Sequence, residues 1–202
     1  MNIVFDQYSP NQVYHIMTQS LIPRPIAWVL TENATGSFNL APFSYFTPVS
    51  SKPAVLMLSL GQKSDRSNKD TWSNIKRTGR FTVHIASDDL LEFVNESSRE
   101  LALNESELDL LGLEVLDDNG FKRLAVSPIA YDCYLHDQHL VKGCAQQLIF
   151  GEVRQAYAVD SCVSEDEKGR LSLDAKAINP LARLGANEYA SLGDVLHKTR
   201  PK

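Results

Sequence analysis

Four apolar runs in the first half of the chain, at 25–31, 38–46, 54–60 and 80–86, constrain the fold more than any other feature of the sequence. Each is about one strand long, rich in β-branched and aromatic residues, and bounded by turn residues. Between the first two, the segment 31–37 holds Asn33 and Gly36, which suit a hairpin turn. Two more strands are expected at 129–141 and 147–159, with Lys142 and Gly143 as their turn. The helices look short. Asp70 is placed to cap a helix over 70–77, with Trp72 and Ile75 facing inward and Gly79 closing it. Asn104 followed by Glu107 has the form of a cap ahead of Leu108, Leu110 and Leu111. The segments 88–95 and 187–196 are further helix candidates. Many strands at short spacing with few crossover helices predict a mainly β fold, an antiparallel barrel decorated by short helices. No GxGxxG opens a helix after a strand, and strands do not alternate with long helices, so a Rossmann fold is not expected.

The 202 residues, 1–202, form one domain by this reading, with no repeat or linker dividing them. A composition of 43% hydrophobic and 22% charged residues is that of a globular protein that buries a core. A net charge of −5 gives no basic surplus for nucleic acid or an anionic membrane. Any bound anion must therefore be held by a few local cations. Cys133, Cys144 and Cys162 show no CxxC spacing and leave an odd thiol, as expected of reduced cysteines in a cytoplasmic protein. The start of the chain lacks the basic and apolar regions of a signal peptide, and no segment approaches the roughly 20 apolar residues of a membrane span.

Generic catalytic patterns are missing: there is no GxSxG, no Walker loop and no HExxH. His136 and His139, three apart on an expected strand, would face opposite ways, so no metal site is expected; either could line a pocket. The informative region runs from Arg24 to Thr71. Arg24 lies between Pro23 and Pro25, which hold the backbone extended. Pro42 interrupts the apolar run at 38–46 and marks an edge, a bulge or a break. Asn39 and Ser44 offer polar groups there, beside the flat surfaces of Phe43, Tyr45 and Phe46. Such a segment suits a planar heterocycle, and it equally suits a packed core. Lys69, Asp70 and Thr71 stand at an expected helix start, a ready anion site if Asp70 does not repel the anion, and otherwise a capped surface helix.

Taken in order, Arg24-Pro25-Ile26-Ala27-Trp28-Val29, Asn39-Leu40-Ala41-Pro42-Phe43-Ser44, Lys69-Asp70-Thr71 with Asn74 and Gly79, Gly151-Glu152-Val153, and Pro180 to Gly185 with Tyr189 resemble the flavin reductase-like family, which includes flavoredoxin-type proteins. The likeness runs over about 18–189. It implies an FMN-binding split β-barrel, antiparallel and Greek-key-like, and a homodimer with its FMN sites at or near the subunit interface. It places Asn39, Ala41 and Ser44 at the isoalloxazine or ribityl portion, and Ser59, Lys69 and Thr71 at the ribityl and phosphate end, with Arg24 nearby. Arg183 and Tyr189 resemble a carboxy-terminal motif that approaches the flavin, and His139 is a further pocket candidate. Trp72 and His84 depart from the family pattern, which leaves open whether His84 touches the cofactor. The implied activity passes hydride from NAD(P)H to bound flavin and on to a small-molecule acceptor. The flavin then carries the chemistry and no catalytic side chain is required. Competing readings are an FMN-binding electron carrier, a pyridoxamine-phosphate oxidase relative, and a non-enzymatic ligand-binding barrel.

Overall fold

The computed structural model describes residues 1–102 and 105–201. After a helical turn at Phe5–Gln7, the chain forms helix α1 (Pro10–Ser20), then strands β1 (Arg24–Pro25), β2 (Ala27–Glu32), β3 (Phe38–Phe43), β4 (Phe46–Ser51) and β5 (Ala54–Leu60). Helix α2 (Asp70–Thr78) leads into β6 (Arg80–Ile85), followed by α3 (Leu91–Glu96), α4 (Glu107–Leu111) and the hairpin β7 (Val115–Asp118) and β8 (Phe121–Leu124). The long strands β9 (Ile129–Leu140) and β10 (Gln147–Ala158) come next. The chain ends on the hairpin β11 (Val163–Glu165) and β12 (Leu171–Leu173), α5 (Ala175–Ile178), β13 (Ala182–Arg183) and β14 (Tyr189–Ala190). No helix among the described residues is long and apolar enough to cross a membrane.

Seven strands make one antiparallel sheet in the order β3-β2-β6-β9-β10-β5-β4. Its two edges, β3 and β4, are consecutive in the chain and joined only by Ser44 and Tyr45. Laid flat, six strand spacings would separate those edges by about 29 Å. Three residue steps from Phe43 to Phe46 reach only about 10 Å. The sheet must therefore curl until its edges meet at this end, and β3 does touch β5 there. The result is the split β-barrel expected from the sequence. Inside it lie Val29, Leu58, Phe81, Val83 and Ile149, while Trp28, Leu30 and Leu40 pack outward under α3 and α4. β2 is buried on both faces, which explains its unbroken apolar run.

Three local expectations are corrected, and one helix is added. The run at 38–46 divides after Phe43 into two strands, while Pro42 lies within β3 on the sheet edge, one of the places expected for it, where a missing N–H costs no ladder bond. The segment 187–196 is not helical: Tyr189 and Ala190 pair with β13, and Leu196 is 90% exposed, so no apolar stripe holds a helix there. The cap of α4 is Ser106, and Glu107 is its first residue; Asn104 lies outside the described residues. Helix α1 was not expected, although Ser9 and Gln12 form a capping box with Pro10 at the first turn.

Candidate functional site

Helix α2 is anchored by Trp72 and Ile75 against the barrel core and stopped by Gly79 at φ 69°. Its cap residue is Lys69, not Asp70, and no side chain caps it. Asp70 instead points its carboxylate at Lys63, with Oδ2 2.7 Å from Nζ. The first-turn N–H groups of α2 are thus left without a capping carboxylate, and they carry the partial positive charge of a helix start. The Lys69 ammonium has no hydrogen-bond or ion-pair partner among the described residues.

The start of α2 is tied to β3 by a buried polar network. Asn39 Nδ2 donates to Thr71 Oγ1 at 3.0 Å, Asn74 Nδ2 donates to Thr31 Oγ1 at 3.1 Å and to Asn33 Oδ1 at 2.7 Å, and Asn33 in turn donates to Ser37. Buried amides and hydroxyls are stable only when paired, and here each holds another. Thr71 is 1% exposed, so its hydroxyl belongs first to this network.

These ties bring Asn39, Ala41, Lys69 and Thr71 into one cleft of about 220 Å³. Its lip is formed by Lys63 and Asp70, its far wall by Ser97, Arg99, Glu100 and Glu107, and its floor reaches Pro42 and Phe43. The wall also covers the β3 edge. Ser106 Oγ donates to Phe38 O at 2.6 Å, and Leu40 N–H donates to Glu107 Oε2 at 2.8 Å. Burial pushes the Glu107 carboxyl up from its ordinary range, against the bond from Leu40. Arg99 pairs with Glu96, and Glu100 holds the Ser64 N–H and hydroxyl. Lys69 is thus the one cleft cation without a carboxylate in contact among the described residues. A second cleft of about 250 Å³ lies beside Arg80 and Lys122, but both cations are taken, Arg80 by Asp132 through two bonds and Lys122 by Glu32.

Other expected site residues fall elsewhere. Arg24 donates to the carbonyls of Thr18 (2.5 Å), Leu21 (2.8 Å) and Leu184 (2.5 Å) and to Ser44 Oγ (3.4 Å). It clamps the end of α1 to the carboxy-terminal turn and does not line the cleft of Lys69. Ser44 lies on that side, as does Ser59, whose N–H donates to Tyr45 O at 2.9 Å and whose hydroxyl donates to Gln146 at 3.2 Å. Arg183 is Arg24's register partner, stacks over the Tyr189 ring at 4.4 Å, and Tyr189 donates to Asn95 at 3.2 Å. His139 pairs with Asp137 at 2.9 Å on exposed β9, and His136 faces Glu152. His84 is corrected as a pocket candidate. It is fully buried, with Nδ1 donating to Trp28 O at 3.0 Å and Nε2 accepting from Leu124 N–H at 2.9 Å, so the core uses both ring nitrogens. Sequence reasoning missed Lys63, Arg99 and Glu100, which reach the cleft only through the folding of two loops onto α2. Glu107 was visible only as an apparent cap.

The flavin reductase like domain family matches residues 18–174. The uncharacterized protein YwrF of Bacillus subtilis is 32% identical over 203 residues, covering 97% of each chain. Nitrilotriacetate monooxygenase component B from Bacillus cereus superposes with a TM-score of 0.87 at 28% identity, covering 98% of both chains. The 2-nitrobenzoate 2-nitroreductase NbaA of Pseudomonas fluorescens gives a TM-score of 0.87 at 25% identity, over 100% of this chain and 96% of that one. With a barrel that closes at Ser44 and Tyr45 and a cleft built from the strand edge and the α2 start, the chain belongs to the flavin reductase-like family, and its chemistry is that of a flavin-related oxidoreductase.

Proposed function

We propose that this protein binds FMN in the cleft between β3 and α2 and acts, as a homodimer, as an NAD(P)H-dependent flavin reductase. The observation that carries the reading is the meeting of Asn39, Ala41, Lys69 and Thr71, drawn from two distant segments, around an unpaired cation and an uncapped helix start. That donor set fits a phosphate monoester at one end. The edge of β3 fits the ribityl chain and ring at the other, with Ala41 small enough to let a ring approach the strand. The similarity to a monooxygenase component and a nitroreductase supports redox work by this fold.

Lys69 and the α2 N–H groups hold the phosphate in this reading, and Asn39 keeps Thr71 and the helix start in register with the strand. Ser44, on the far side of Pro42, orients the outer part of the ring. Glu107 fixes the β3 backbone at Leu40 and closes the cleft to water on that side. FMN, when bound, supplies the hydride-accepting centre between NAD(P)H and a small-molecule acceptor. The second subunit covers the ring from the Ser44 side, where the monomer exposes Tyr14, Leu21, Ile22 and Val49.

The test is an anaerobic titration. The pure protein should take up FMN with quenched flavin fluorescence, and NADH or NADPH should then bleach the bound flavin quickly. No binding well above micromolar FMN would sink the reading. Slow bleaching by both nucleotides with fast bleaching by dithionite would point to an electron carrier instead.

A further inference from the structure

The cleft holds a carboxylate, Asp70, at the place where a phosphate must bind if the proposed function is correct. A carboxylate at the first helical position would repel that phosphate unless something neutralised it. The structure supplies the neutralising group from another loop. Lys63 Nζ lies 2.7 Å from Asp70 Oδ2, and both side chains are largely withdrawn from solvent, at 18% and 25% exposed. The pair stands on the lip of the cleft and also lines a larger, open cleft beyond it.

The loop that carries Lys63 is built without help from that side chain. Lys63 N–H donates to Ser67 O at 2.9 Å, Arg66 N–H donates to Lys63 O at 3.0 Å, and Gln62 bridges to Asn68. Ser64 then pins the loop to Glu100 through two bonds of 3.1 and 2.7 Å. The Lys63 ammonium thus keeps its one ion-pair contact among the described residues for Asp70, while its charge also reaches Asp65, Glu100 and Glu107. The charged groups facing the pair are Lys69 on the same helix end, Asp65 on the Lys63 loop, Glu100 and Arg99 after α3, and Glu107 on α4, with Arg99 already held by Glu96. Remove Lys63, and Lys69 faces an uncompensated Asp70 with Glu100 and Glu107 behind it. With Lys63 present, Asp70 is cancelled and the positive field of Lys69 and the helix start is available to an anion.

We infer that Lys63 is a specificity-determining residue of the flavin site, acting through Asp70: it neutralises that carboxylate so that the site selects a phosphorylated flavin over an unphosphorylated one. The inference rests on the flavin-binding reading above. Lys63 is a positioning residue in this scheme. Asp70 keeps it at the lip, and its effect on phosphate passes through Asp70 and not through a contact of its own.

That distinction gives a test by double-mutant cycle, with FMN and riboflavin as paired probes in fluorescence titrations at fixed ionic strength. Lys63→Ala should weaken FMN by about tenfold or more, because it leaves an uncompensated carboxylate beside the phosphate, and should leave riboflavin unchanged. Asp70→Asn should leave FMN binding unchanged or slightly tighter. The double variant Lys63→Ala with Asp70→Asn should recover FMN affinity to within about threefold of the parent, a strong non-additivity. Lys63→Arg should retain the parent preference, and thermal melts of all four variants should coincide. A double variant as weak as Lys63→Ala alone would overturn the inference, since Lys63 would then touch the phosphate itself. An unchanged Lys63→Ala, with FMN preference lost only in Lys69→Ala, would also overturn it. A parent protein that binds FMN and riboflavin equally would defeat the reading of the site as a whole, a result recognisable before any variant is made.

Discussion

At the scale of single residues, the same cleft separates what a motif can say from what it cannot. Lys69, Asp70 and Thr71 are adjacent in the chain, so a helix start with a cation was legible. Which of them points into the cleft was not, because Asp70 answers to Lys63 and Thr71 answers to Asn39. Lys69→Ala should therefore weaken FMN about tenfold to a hundredfold, the loss of one or more charge-assisted bonds, with little change for riboflavin. Equal losses for both ligands in paired titrations would assign the lysine to the fold. His84 makes a different prediction. Burial, with Arg123 nearby, pushes its pKa down from 6.5 to about 4, against the bond to Trp28. Between those values the unfolded chain binds a proton that the folded protein refuses. Stability from this group is complete above about pH 6.5, falls as pH drops toward 4, and falls no further below it. Asn at position 84 would keep a donor for Trp28 and an acceptor for Leu124 without a titrating ring. From pH 7 to pH 5 the parent should lose about 2 kcal/mol more than His84→Asn in urea unfolding. Parallel pH profiles for the two proteins would show that the histidine does not titrate as described.

At the scale of elements, the runs that became β2, β5, β6, β9 and β10 were legible because their apolar pattern and their boundaries are local properties of the chain. The break between β3 and β4 was marked only by Pro42. The failed helix at 187–196 shows the limit of local propensity: Tyr189 packs against the core beside Leu181, and pairing with β13 takes the segment's first residues, while Leu196 is left 90% exposed. The Ser9–Gln12 capping box, by contrast, was local and went unread. One element carries a requirement invisible in the sequence pattern. Gly151 sits in the middle of β10, and a Cβ there would lie 2.5 Å from Phe81 Cζ and 3.4 Å from Cys133 Cβ. Phe81 is 2% exposed, and its ring occupies the space that a side chain on β10 would need. Gly151→Ala should thus cost about 1–3 kcal/mol through overpacking, measured as a lower denaturation midpoint at unchanged slope. Phe81→Leu in the Gly151→Ala background should return part of that loss, since a shorter side chain clears the contact. If the two substitutions add as independent defects, the steric explanation is wrong.

At the scale of the whole molecule, strand order is what the sequence could not supply. Nothing local says that β6 lies between β2 and β9, or that consecutive strands β3 and β4 form opposite edges. The family likeness supplied that architecture, and the short link at Ser44 and Tyr45 explains it physically. The link also concentrates exposed apolar surface at the closed end. Val49 on β4 is 52% exposed; β1, just after Ile22 at 46%, touches β4, and Tyr14 at 55% lies near enough to Tyr45 to add to the rise in its phenol pKa that burial causes. Large apolar side chains gathered on one side of a monomer mark an interaction surface, and this one adjoins Ser44, where the flavin ring is proposed to end. A homodimer formed across it would link assembly to cofactor binding, since a ligand held better by the dimer must in turn stabilise the dimer. Sedimentation at micromolar protein should show a species of twice 22.5 kDa. Val49→Glu places a charge in the proposed contact, where its desolvation is costly. It should shift the protein toward the 22.5 kDa species and weaken FMN in parallel, leaving the thermal melt of the isolated fold intact. Saturating FMN should partly restore the dimer in that variant. A Val49→Glu protein that remains dimeric with parent affinity would move the interface to another face, and a monomer that still binds FMN at parent strength would show that one subunit holds the cofactor alone.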